Sequence, residues 1–156
     1  MGIQLPAFSQ LEVRTHKINY GRLILAGIVA AVILDILHYL SNDVLLASAW
    51  ADSLKRIGVA PIGMRGIIAF NMSDLVVAFL AIWLYVAIRP RFGPGPKTAL
   101  IAAAVVWLLG WPLSMVAPLA MHVVPRHLAI HYSLLGIPEM AIAILAGAYL
   151  YKEGPA

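Results

Sequence analysis

The chain contains no cysteine. That absence removes disulfides, thiolate metal sites, iron–sulfur clusters and cysteine nucleophiles. Charge is scarce as well: Asp, Glu, Lys and Arg make up 12% of the 156 residues, against 62% hydrophobic. Soluble domains carry roughly 25% charged and roughly 45–50% apolar residues. A soluble core cannot bury so much apolar side chain, but a lipid bilayer can. The mean hydropathy of +0.90 agrees. Catalytic signatures are missing too. Gly93-Pro94-Gly95-Pro96 is stiffened by proline and lacks the Lys-Ser/Thr end of a phosphate-cradling loop. No Gly-x-Ser-x-Gly elbow is present. His127 and His131 have the spacing of zinc-protease ligands, without the glutamate between them. Little mass is left outside the apolar runs for a catalytic domain, which points away from an enzyme. The net charge of +4 comes from basic residues beside those runs. Anionic headgroups and orientation account for them, and nucleic acid is not an expected partner.

What the sequence does have is a series of apolar runs. Tyr20 to Leu40 is long enough, at about 1.5 Å per residue, to cross roughly 30 Å of hydrocarbon. Ala47-Ser48-Ala49 resembles a signal-peptide cleavage site, but the run before it is too long and is interrupted by Asp35. Further spans are expected over 66–88, 98–121 and 127–151. Pro112 and Pro118 should bend the third. The fourth carries Gly136 and Pro138 next to Glu139. Ser41-Asn42-Asp43 reads as a helix cap. After it, Leu46, Trp50, Leu54 and Ile57 share one helical face. That pattern fits a short amphipathic helix, lying in the headgroup layer or packed on the bundle. Gly27 with Ala31, Gly110 with Ser114, and Ala143 with Gly147 are spaced for close helix approach.

The expected fold is therefore an all-α membrane protein. Four transmembrane helices form an up-down bundle, with a short interfacial amphipathic helix between helices 1 and 2. Residues 19–152 form one transmembrane domain, residues 1–18 a cytoplasmic tail and residues 153–156 a second tail. With four spans, Arg14, Lys17, Arg22, Arg89, Arg91, Lys97 and Lys152 fall on one side, and Lys55, Arg56, Arg65 and Arg126 on the other. The positive-inside rule then places both termini in the cytoplasm.

Hairpin order assigns depth to the polar residues. Asp35, His38, Asn71, Asp74 and His131 fall in one half of the membrane, and Glu139 near its middle. A charge at the bilayer centre costs at least about 2.5–3.5 kcal/mol, so these acids should face inward, pair, bind something or hold a proton. Asp35 and His38 share a helix face, as do His127 and His131. His38 and His131 are the candidates to ligate a haem or a chlorophyll-type pigment. Asp35, Asp74, His131 and Glu139 are the candidate divalent-metal set. Structural readings stand beside these: pairing that locks the bundle, solvated histidines at the 122–127 turn, and a neutral Glu139. Trp107, Trp111, Met115 and Met121 fit packing and interface belts.

Asn19-Tyr20-Gly21, the small-residue-rich first span, Leu45-Leu46, Trp50 and Gly58 together resemble small four-helix bacterial integral membrane proteins of unknown function. The resemblance implies this architecture and a bacterial inner (cytoplasmic) membrane, and carries no active site. The leading expectation is an accessory or structural subunit that packs against other membrane proteins or itself, with lipid around it. The alternatives are a redox subunit holding haem, chlorophyll-type pigment or quinone, and a small transporter or metal site built on the Asp/His/Glu cluster.

Overall fold

The computed structural model describes residues 18–153, and among these the secondary structure is helical, with no strand. The expected tail over residues 1–17 and the last three residues of the C-terminal tail lie outside the described residues. Helix α1 runs Tyr20–His38, and the Asn19 side chain caps it by accepting from the Arg22 backbone N–H at 3.0 Å. It continues directly into a π-helical stretch, Tyr39–Leu45. Ser41-Asn42-Asp43, expected as a cap, lies inside that wider turn. Ser41 Oγ (3.2 Å) and Asn42 Nδ2 (3.1 Å) donate to the His38 carbonyl at the start of this stretch.

Helix α2 spans Ala47–Arg56. Leu46, Ala49 and Trp50 pack against Val124, Leu128 and Ala129, and Ser53 Oγ donates to the Val123 carbonyl at 3.0 Å. Of the two expected placements, the structure shows this helix resting on its neighbours. Helix α3, Met64–Phe92, ends at Gly93, whose φ of 80° suits a residue without a side chain. Helix α4, Pro96–Gly110, begins on a proline, which loses nothing at a first-turn position. Helix α5 is short, Val116–Ala120, and α6 runs Arg126–Leu150 through Pro138.

The expected third span over 98–121 is thus broken rather than bent. Pro112 has no N–H to continue the ladder, and the Leu113 N–H reaches back to the Leu108 carbonyl at 3.2 Å. Ser114 Oγ then takes the Gly110 and Trp111 carbonyls at 2.7 and 2.8 Å, holding the chain in a turn.

Among the described residues, three helices are long and apolar enough to cross a membrane: 20–45, 64–92 and 126–150. Helix α4 is apolar but shorter. Helix α1 packs on α3 and α6, and α4 packs on the same pair. The core is made of small residues, among them Ala26, Ala30, Ala78, Ala81, Ala102 and Ala143. At Gly147 a Cβ would come within 2.8 Å of the Ala26 carbonyl and 2.6 Å of Ile82 Cδ1, so that glycine sets how closely α6 approaches α1. Gly27, Ala31 and Ala143 are likewise buried, whereas Ser114 is exposed in the broken segment. The outward faces carry Ile24, Ile28, Val32, Val76, Leu80 and Ile142, all exposed. Lipid is the solvent that such a surface matches.

Candidate functional site: an acid–imidazole cluster

His38 ends the α-helical part of α1 and joins three helices. Its Nδ1 lies 2.6 Å from Asp74 Oδ2 on α3, and its Nε2 lies 3.4 Å from Glu139 Oε2 on α6. Asp35, one turn earlier on α1, interacts with both Asp74 and His38. Burial deepens across the group: side-chain exposure is 17% at His38, 11% at Asp74 and 6% at Glu139. Among the described residues no Lys or Arg forms an ion pair with any of them. With His38 protonated and all three acids ionised, two negative charges would be left over in an apolar bundle.

Aromatic rings close the cluster. The Trp111 ring lies 5.2 Å from that of His38, and Tyr132 lies 6.5 Å from it. Trp111 and Tyr132 are nearly parallel, 6.3 Å apart at 17°. Trp50 meets Tyr132 edge-on at 5.9 Å. Two local features put Trp111 there. The broken third segment turns the chain at that residue, and Gly136 leaves room for the indole; a Cβ on Gly136 would overlap Trp111. The π-helical stretch is tied in as well. Asn42 Oδ1 accepts from Trp50 Nε1 at 3.1 Å while its Nδ2 donates to His38 O.

The bonding within the cluster is incomplete. Asp35 Oδ1, His38 Nε2, Trp111 Nε1 and Glu139 Oε2 are all buried without a hydrogen-bond partner. Buried polar atoms are normally partnered, so four orphans together mark a group built for more than packing. The arrangement suits proton transfer. A neutral imidazole donates from Nδ1 to Asp74 and can accept at Nε2 from a protonated Glu139.

Four expected site residues therefore come together: Asp35, His38, Asp74 and Glu139. His131 does not join them. It is exposed, and its Nδ1 donates to the His127 carbonyl of its own helix at 2.7 Å. Asn71, His122 and His127 are exposed too. The expected metal set is accordingly not assembled, and among the described residues no three His, Asp or Glu side chains are placed to hold a metal ion. The expected axial pair of His38 and His131 is not assembled either. Both ring nitrogens of His38 face carboxylates, whereas a haem iron or pigment magnesium needs one of them. Trp111 and Tyr132 were not among the expected site residues. Tyr132, Gly136 and Glu139 lie at spacings of four and three, one face of α6, and that spacing was a readable signal. No protein-family description, curated protein or solved structure matches the chain.

Proposed function

We propose that the chain is a small proton-coupled membrane transporter, in which the His38–Asp74–Glu139 relay takes up and releases a proton. The observation that carries this reading is His38 held between two buried carboxylates from different helices. Each uncompensated charge at the bilayer centre costs at least about 2.5–3.5 kcal/mol. With no Lys or Arg among the described residues paired to the group, protons are the compensating species that fit its packing. A proton on Glu139 passes to His38 Nε2 as the Nδ1 proton passes to Asp74, leaving the opposite imidazole tautomer and an ionised Glu139.

In this proposal the 96–120 segment, α4 with the turn and α5, completes a fourth crossing, and the four form an up-down bundle. Both ends then lie on the cytoplasmic side of a bacterial inner membrane, the side carrying Arg22, Arg89, Arg91, Lys97 and Lys152. Since the chain has no native cysteine, single cysteines at positions 152 and 55 report the two sides directly.

The test of the relay is infrared spectroscopy of the reconstituted protein over a pH titration. A protonated-carboxyl band should appear and disappear with pH, and should be lost or shifted in Glu139→Gln and in Asp74→Asn. A spectrum with no titrating carboxyl band, or one unchanged in both variants, sinks the relay.

The accessory-subunit reading is favoured by a different feature. An apolar groove of about 290 Å³ runs between α4 and α6, lined by Leu100, Ala103, Trp107, Ile137 and Met140. A helix of another subunit, or of a second copy, fits such a groove. Filling it from the exposed Ala104, which also lines it, with Ala104→Trp should break a native membrane complex while leaving the carboxyl band intact.

A further inference from the structure

A second buried polar group lies toward the other end of α3, about 22 Å from Asp74 at about 1.5 Å per residue. Arg89 sits in the last turn of that helix. Its guanidinium carbon is 5.4 Å from the Tyr85 ring centroid and 5.0 Å from that of Tyr151, and the two rings stand edge-on to each other. The side chain is 10% exposed, and Nη1 lies 3.4 Å from Glu139's counterpart at this end, Glu153 Oε1. Arg89 Nε, Arg89 Nη1 and the Tyr151 hydroxyl are buried without a hydrogen-bond partner.

Three buried donors around one cation make no hydrogen bond, although Glu153 ion-pairs with the guanidinium. Leaving donors of an ionised group unsatisfied is costly, and the acceptor that matches a guanidinium fork is a planar or tetrahedral oxyanion. The Glu153 carboxylate is near but leaves those donors without hydrogen bonds. The place in the fold narrows the choice of oxyanion. Arg89 and Tyr151 stand at the ends of two long apolar helices, where tyrosine and basic residues meet headgroups. Trp83 and Phe92, in the same half of that helix, are exposed apolar side chains of the kind acyl chains cover.

We infer that Arg89 and Tyr151 form a binding site for the phosphate group of an anionic lipid. The guanidinium fork and the hydroxyl donate to the phosphate oxygens, and the Tyr85 and Tyr151 rings hold the guanidinium plane in position.

Native mass spectrometry of the full chain, released from micelles containing phosphatidylglycerol or phosphatidylcholine, tests this. The anionic lipid should be retained in preference to the neutral one. Arg89→Gln should lower that retention about tenfold, the scale of one lost charge-assisted hydrogen bond. Tyr151→Phe keeps the ring, removes one donor and should lower it about threefold. Lys55→Gln removes the same charge from α2 and should change nothing. Should Arg89→Gln fail to fold, Arg89→Lys, which keeps the charge but not the fork, and Tyr151→Phe decide the matter. Equal retention of the two lipids overturns the site, as do equal losses in the Arg89 and Lys55 variants. Inorganic phosphate that binds alone and displaces the lipid overturns the headgroup assignment and leaves an oxyanion site for the soluble ion.

Discussion

The cluster around His38 gathers three carboxyl groups and one imidazole, and two of its four orphaned atoms are carboxylate oxygens. The group around Arg89 has the opposite imbalance: a buried guanidinium and a tyrosine hydroxyl, with donors to spare. Both lie within the same helices, α3 and α6, with α1 contributing to the first. The two solve the burial of charge differently. Around His38, the proposed relay reaches neutrality by sharing protons between side chains of three helices. Around Arg89, the cation is fixed, since a guanidinium does not give up its proton, and aromatic faces and a carboxylate from the chain end surround it. A protonatable group can change its charge in place. A permanently charged one can only change its partner.

His38→Ala tests that contrast most severely. Removing the bridging base leaves Asp74 and Glu139 without their shared partner, and a loss of about 3 kcal/mol is expected in thermal or denaturant unfolding in detergent. A loss well under half of that would mean the acids never depended on the imidazole. Gly136→Ala should cost about 1–3 kcal/mol, because the new methyl displaces the Trp111 indole. It should also alter tryptophan fluorescence; a variant with unchanged emission would place the indole elsewhere. Arg89→Lys keeps the charge and loses the stacked plane, so about 1 kcal/mol is expected by the same unfolding assay. Equal stability would show that the rings hold nothing in place. Glu139→Gln should be the mildest for stability, below about 1 kcal/mol, because in the proposed relay a carboxamide stands in for the carboxyl group with little change of shape. A larger loss than Arg89→Lys would reverse the contrast and make Glu139 the permanently charged member.

Much of the cluster was legible in the chain. Hairpin order put Asp35, His38, Asp74 and Glu139 at related depths, and the three-residue step from Asp35 to His38 put both on one face. Helix rotation was not legible. An apolar helix in lipid is hydrophobic on every side, so nothing in the pattern around His131 says which way it points, and it turns outward. Trp111 was hidden for another reason. Its place depends on the chain stopping at Gly110 and on the absence of a side chain at Gly136, a coincidence between two distant segments that no local pattern records. The proline pair in the third segment announced a distortion, but whether it would bend or break depended on Ser114 capturing two carbonyls. The helical class and the three helices long and apolar enough to cross a membrane needed only length and apolar content, which are read directly from the residues.

The wide turn that follows His38 contains one residue more than an ordinary helix of the same reach would use. Without it, the residues on one side of the turn would sit about 100° further round the axis, and about 1.5 Å along it, relative to those on the other side. That offset lets α1 present His38 to its two acids while Asn42 still reaches Trp50 on α2. Asn42, clasping the His38 carbonyl and the Trp50 indole together, fastens that turn to α2.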